Sequence, residues 1–386
     1  MSDRKHALMS PSSAERWASC PGSVPLTRNL PDAPSPFAAE GSCAHEVAAR
    51  CLLENQRAAA FVGQVFHGHE VTAEMAEHVD TYCQWVRDYR QHPSDDLHIE
   101  VALPIDPITG EPDAVGTADA VVLSFAHQEI TVADLKYGRG VRVQAEQNLQ
   151  LVLYALAAMA LYGVVADWQT VRLVIVQPRA GGVSEWLLTV GELEAYANTL
   201  RLAAERVRQA LSEGPAHFLN PGEKACRWCR AKAICPALSA QVLDDVETIP
   251  EAASNPEIAH LLPRIAMIED WCRALRAEAE RRLIAGIPVP GFKLVEGKKG
   301  ARAWDDLTQV ESLLKSMRLK VADMYDLKLI SPTTAEKLFK DQPKRWARLQ
   351  QHITQKSGSP SVVPVADPRQ AVSPAVRSSE FQPVTA

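Results

Sequence analysis

The sequence predicts a mixed α/β protein: one sheet flanked by helices, followed by a small, mainly helical C-terminal domain. Three observations carry this. Alternating or β-branched runs lie near 97–103, 115–125, 129–136, 171–177 and 184–190, as strands require. Stretches with apolar residues at helical spacing lie between and around them. A chain of 386 residues, 46% hydrophobic, can build one large domain and a smaller one.

In chain order, Ser10 or Ser12 caps a short helix with Pro11 in its first turn, and Cys20-Pro21 ends it. Residues 22–37, rich in Pro, Ser and Asn, read as a loop. A helix from about Ala38 to Glu54 places Gly41 and His45 one turn apart on a shared face. A second, from about Thr72 to Gln91, carries Met75, Val79, Tyr82, Trp85 and Tyr89 as a core stripe. Glu100, on the strand Leu97–Leu103, either approaches the centre described next or is an exposed strand residue.

The centre of the chain is a hairpin. Ala120–Phe125 forms one strand, 126–129 the turn, and Ile130–Ala133 the second strand. This brings Asp119 beside Asp134 and Lys136. Two carboxylates and an ammonium at a sheet end suit a divalent metal and a phosphate. Oxygen ligands favour Mg²⁺ or Mn²⁺, and the ammonium stabilises developing charge or orients water. Any single Asp–Lys pair also reads as solvated strand-end charge. Gly138-Arg139-Gly140 and Arg142 follow as a phosphate grip. A helix over Ala145–Tyr162 sets Gln150 and Tyr154 on one face. The strand Val171–Gln177, an edge strand from Ser184 to Val190 and a helix to about Glu213 complete the body.

Composition limits what the chain does. No apolar run reaches the 18 or so residues of a membrane span, and Met1-Ser-Asp-Arg-Lys-His leads into no signal-like apolar region. A soluble, cytoplasmic protein without a membrane partner is expected, its eight cysteines being thiols or metal ligands. There is no phosphate-binding G-xxxx-G-K-[ST] loop, hence no ATP motor. The net charge of −6 is uneven. Residues 286–356 hold 14 Lys/Arg against 8 Asp/Glu, the tail from Ser357 is neutral, and residues 1–285 carry −12. The basic stretch suits nucleic acid, or equally a solvated face.

Gly116, Asp119, Asp134-x-Lys136 and Gln150-xxx-Tyr154, in this order and at these spacings, resemble the RecB-like branch of the PD-(D/E)xK nucleases. That branch carries an upstream histidine, which His45 matches. The resemblance implies a restriction-endonuclease-like sheet and a metal-dependent deoxyribonuclease, an exonuclease of phage-type DNA recombination or processing. It implies that His45, Asp119, Asp134 and the Leu135 carbonyl hold Mg²⁺ or Mn²⁺ and that Lys136 activates or positions water. Gln150 and Tyr154 would contact DNA or support the site.

Cys226-x2-Cys229-x5-Cys235-Pro, with Cys20-Pro far upstream, is similar to the iron–sulfur staple of the Cas4 and AddB nucleases. It implies a [4Fe–4S] cluster on four thiolates; spacing alone allows a structural Zn²⁺ equally. Cys43, Cys51, Cys83 and Cys272 lack ligand spacing and read as buried thiols. Lys224, Arg227, Arg230 and Lys232 surround the motif as candidate DNA-backbone contacts.

The expected organisation is a nuclease domain over 1–245 closed by the four cysteines, a helical linker and basic domain over 246–356, and a disordered tail over 357–386. Within the second part a helix at about 257–285, a hairpin at 292–304 and helices near 306–318, 321–327 and 332–342 are expected. The nuclease resemblance ends near residue 240, and the remainder looks like the C-terminal part of phage-associated proteins. DNA is the expected partner, together with a phage recombination or replication protein; the sequence leaves oligomeric state open. A non-hydrolytic DNA-binding or assembly factor on the same fold is the alternative.

Overall fold

The computed structural model describes residues 7–30, 36–90, 92–247, 254–293, 308, 315–316, 332–350 and 353. It divides into two compact units, Met1–Val295 and Glu296–Ala386.

The first unit is the mixed α/β architecture that the strand pattern predicts. A 3₁₀ turn at Pro11–Ser13 leads into α1 (Ala14–Ser19), whose fully buried Trp17 donates its indole N–H to the Ser10 carbonyl at 3.1 Å. α2 (Ser23–Thr27) follows where the sequence reads as loop. Its Pro- and Ser-containing turn is held from outside, because Arg16 donates to Ser23 Oγ at 3.1 Å and Thr27 Oγ1 at 3.3 Å. Tertiary contacts thus override weak helix propensity. α3 (Pro36–Leu53), a small hairpin of β1 (Val65–Phe66) and β2 (His69–Glu70), and α4 (Ala73–Tyr89) come next. Thr72 caps α4 by accepting the Met75 N–H.

The sheet is built from β3 (Asp96–Pro104), β4 (Val115–Ser124), β5 (Glu129–Leu135), β6 (Thr170–Gln177) and β7 (Gly182–Thr189), in that spatial order. All neighbours are antiparallel except β5 and β6. A parallel pair needs a crossover, supplied here by α6 (Leu149–Tyr162). The short α5 (Asp106–Thr109) joins β3 to β4. α6 starts four residues later than apolarity suggests, because the Asn148 side chain accepts from the Gln150 and Leu151 amides and fixes the first turn there. A Thr189–Glu192 capping box opens α7 (Val190–Glu213).

Core residues alternate across β5. Ile130 and Val132 join one apolar cluster with α1, α6 and α7, while Ala133 and Leu135 join another with α3 and α4. β3 and β4 break this alternation together. Val101, Leu103 and Ala118 belong to the α6 face, whereas Leu97, Ile99 and Ala120 belong to the α3–α4 face. The exchange falls at Glu100 and Asp119, and Glu100 has a φ of +50°.

α8 (Glu223–Arg227), α9 (Pro236–Glu247) and α10 (Asn255–Ile284) finish the unit. Met267 of α10 is buried with Cys226, Cys235, Leu238 and Val242, and Ile268 and Trp271 pack on them. The unit therefore runs past residue 245, where the sequence reading ends its first domain.

In the second unit, α11 (Pro332–Leu338) and α12 (Pro343–Gln350) are described. The expected hairpin at 292–304, the helices at 306–318 and 321–327 and the tail over 357–386 lie outside the described residues, apart from isolated positions. No helix among the described residues is long and apolar enough to cross a membrane.

Candidate active site

The face exchange in β3 and β4, beside the end of β5, is where the acidic side chains gather. Beyond the Ala120–Ala133 pair the two strands stop pairing, and Asp119 Oδ2 instead accepts the Leu135 N–H at 2.7 Å. Its Oδ1 lies 3.1 Å from His45 Nδ1, on α3. Asp134, one residue before Leu135, points to the α6 side. Its Oδ1 accepts from Gln150 Nε2 at 2.8 Å and its Oδ2 lies 2.9 Å from Lys136 Nζ. Lys136 also donates to Gln150 Oε1 at 2.9 Å, so the amide ties acid and ammonium together. The structure thus assembles His45, Asp119, Asp134, Leu135, Lys136 and Gln150 from one strand pair and two helices.

Tyr154 enters one turn after Gln150. Its ring packs on Gly116, where an added Cβ would lie 2.9 Å from Tyr154 Cε1 and 2.5 Å from Pro11 Cγ. The glycine is what lets β4 approach this helix so closely.

Charge in the site is tightly coupled. Burial would lower the His45 imidazole, but the adjoining Asp119 carboxylate outweighs it and pushes the group up to about 9. Burial would raise Asp119, and His45, the Leu135 amide and Lys136 bring it below its ordinary value. Asp134 is driven upward by burial, and Asp119 adds to that against the opposing Lys136. Lys136 is held above its usual value because Asp134 overcomes its desolvation.

Two more groups belong to this field. Glu100 is solvent-exposed, yet desolvation by its surroundings and the Asp119 charge push its carboxyl up to about 7. The Tyr82 hydroxyl is buried without a hydrogen-bond partner among the described residues, and burial followed by Asp119 and Asp134 raises it well above its ordinary value. Sequence reasoning put Tyr82 in a core stripe. Its stripe position gave no sign of the hydroxyl; only tyrosine rather than phenylalanine at a buried position marked it.

The expected phosphate grip is split. Arg139 pairs with Glu74 of α4, whereas Arg142 lines a cleft with Lys136 and Gln150. The same cleft is lined by Arg16, Lys224, Arg227, Trp228 and Arg230.

Cys20, Cys226, Cys229 and Cys235 line a single cavity between the N-terminal segment and α8–α9. Backbone amides point at three of the sulfurs: Asn220 N–H to Cys20 at 3.2 Å, Gly222 to Cys226 at 3.4 Å and Leu238 to Cys235 at 3.5 Å. Gly22 closes this junction by donating to the Phe218 carbonyl at 2.8 Å, and a Cβ there would lie 2.6 Å from the Pro215 oxygen.

In this conformation no group of three or more His, Cys, Asp or Glu side chains among the described residues is set to hold a metal ion. The donor chemistry nonetheless fits. Asp134 Oδ2 is buried with a close ammonium but no aligned hydrogen bond, and burial first, then Asp119, raises the Asp134 and Glu100 carboxyls. A hard cation suits such oxygens. At the cysteines, amide N–H groups directed at sulfur are the outer-shell pattern of thiolate metal sites.

Fold and site together define a mixed α/β protein with a carboxylate–lysine centre beside its sheet. Residues 6–370 match the family described as "Protein of unknown function (DUF2800)", and the chain belongs to that family. Among solved structures, it is similar to a crystal structure named "Putative exonuclease" from Eubacterium rectale. The identity is 9%, over 64% of this chain and 90% of that one, with a TM-score of 0.33.

Proposed function

We propose that the protein is a metal-dependent deoxyribonuclease that hydrolyses phosphodiester bonds, an exonuclease of phage-type DNA recombination or processing. The observation that supports this best is the Asp134–Gln150–Lys136 bridge beside Asp119, with Lys136 and Gln150 also lining a basic cleft. His45, Asp119, Asp134 and the Leu135 carbonyl would hold Mg²⁺ or Mn²⁺. When bound, the ion supplies Lewis-acid stabilisation of phosphate charge and a more acidic water.

The chain's own residues do the rest. Gln150 fixes the direction of Lys136, whose ammonium faces a phosphate oxygen entering from the cleft. Asp134 keeps that ammonium protonated. His45 helps keep Asp119 ionised. The Tyr82 hydroxyl offers a buried donor next to the carboxylates.

The cysteine cavity would hold a [4Fe–4S] cluster, with structural Zn²⁺ as the competing occupant. Metal content and the visible spectrum of anaerobically purified protein decide between them, because only the cluster absorbs broadly there. Cys20→Ser should lose whichever is bound.

The nuclease reading is tested with end-labelled single- and double-stranded DNA in Mg²⁺ or Mn²⁺. Cleavage by the wild type that Asp134→Asn and Lys136→Ala abolish is the expected result. Wild type and variants equally inert, yet binding DNA, would favour the non-hydrolytic DNA-binding or assembly factor.

A further inference from the structure

Trp228 is 75% exposed although it sits between buried neighbours, Cys226 and the partly buried Cys229. A scattered surface aromatic needs no explanation by itself. This one lies where two cavities meet. One extends back to Lys136 and Gln150, and the other extends onto α10 through Asp270 and Arg273. The Arg227 guanidinium stands 5.9 Å from the ring centroid.

Charge sets this place apart. Residues 1–285 carry a net −12. Yet the cleft between Trp228 and Lys136 is lined by Arg16, Lys136, Arg142, Lys224, Arg227 and Arg230 against three glutamates, a local excess of +3. Concentrating cations here, within an acidic body, points to a polyanion.

We infer that the cleft binds a single strand of DNA, one base stacking on Trp228 while the phosphate backbone follows the arginines and lysines toward Lys136. The inference rests on the nuclease reading and adds the form of its substrate. A duplex keeps its base faces stacked inside, so an exposed indole finds a partner only on an unpaired base. A backbone passing the arginines is held by charge without regard to sequence. Trp228 thereby separates the two strands' fates: the unpaired one enters, the paired one does not.

The test is equilibrium binding of fluorescently labelled oligonucleotides to the full-length protein, purified anaerobically, with chelator present so that nothing is cleaved. Trp228→Ala should weaken single-strand binding about tenfold, while Trp228→Phe, which keeps a stacking face, stays within about threefold of wild type. Arg142→Gln and Arg227→Gln should each lower the salt-dependence slope by about 0.7. An abasic strand should bind wild type as weakly as the base-bearing strand binds Trp228→Ala. A ribose oligomer run alongside separates DNA from RNA, and tighter RNA binding would overturn the assignment to DNA. Equal binding by wild type and Trp228→Ala, or of abasic and base-bearing strands, would overturn the inference outright. Trp228-dependent binding in a protein that never cleaves DNA would sink the nuclease reading and leave this one standing.

Discussion

Glu100 lies opposite Asp119 in the β3–β4 ladder, between the Ile99–Ala120 and Val101–Ala118 pairs, and it takes a left-handed backbone there. Both strands exchange their buried faces at this step, which turns Asp119 out of the regular sheet pattern and toward His45. A non-glycine residue at positive φ costs about 1 kcal/mol or more. The local fold bears that cost at the carboxylate cluster.

Replacing Glu100 with glycine removes the steric cost and the carboxyl together. Thermal stability of Glu100→Gly should stay within about 0.5 kcal/mol of wild type, whereas the neighbouring Val101→Gly should lose about 1–2 kcal/mol. DNA cleavage by Glu100→Gly should nevertheless fall. Unchanged cleavage would place Glu100 outside the centre.

Gln150 joins Asp134 to Lys136, and nothing else among the described residues bonds both. Gln150→Ala should leave DNA affinity in chelator nearly intact and slow cleavage by about a hundredfold through misplacement of the ammonium. A large loss of affinity with normal turnover would instead make Gln150 a binding contact.

Gly116 is a packing requirement. Gly116→Ala forces a methyl group against Pro11 and the Tyr154 ring, and should destabilise the fold by about 2 kcal/mol. Pairing it with Pro11→Ala should recover part of that loss. Chemical denaturation measures both, and an unaltered midpoint for Gly116→Ala would contradict the contact.

At the far end of β5, Glu129 accepts from Arg172 Nε at 3.1 Å and Nη2 at 3.2 Å, and from the Tyr89 hydroxyl. Burial would raise its carboxyl, but Arg172 and then Tyr89 hold it below the ordinary value. A carboxyl depressed in the folded state adds stability that is complete above its unfolded value, about 4.3, and fades as pH falls through the folded one. The stability gap between wild type and Glu129→Gln should therefore shrink from about pH 6 to about pH 3. Thermal melts across that range will detect it; a constant gap would mean that the ionised form contributes nothing.

The strands were legible because each is an alternating or β-branched run that ends at a turn. The hairpin alone brought Asp119 and Asp134 together in the reading of the sequence. Three features were hidden for one shared reason: each depends on distant chain. α2 is helical because Arg16 holds its hydroxyls. Arg139 leaves the cleft because Glu74 of α4 captures it. The positive cleft is assembled from segments near residues 16, 142 and 228, so a running charge count, which drew attention to 286–356, averages it away.

The cysteine cavity also has a consequence for synthesis. Asn220 contacts Cys20 across 200 residues of sequence, so the cysteine cavity cannot close until the segment bearing the other three cysteines has left the ribosome. At about 5–20 residues per second, that interval is on the order of ten to forty seconds. A chain cut short before Cys235 would contain the whole sheet and every acidic residue of the centre, and still lack the closure that joins its beginning to its end.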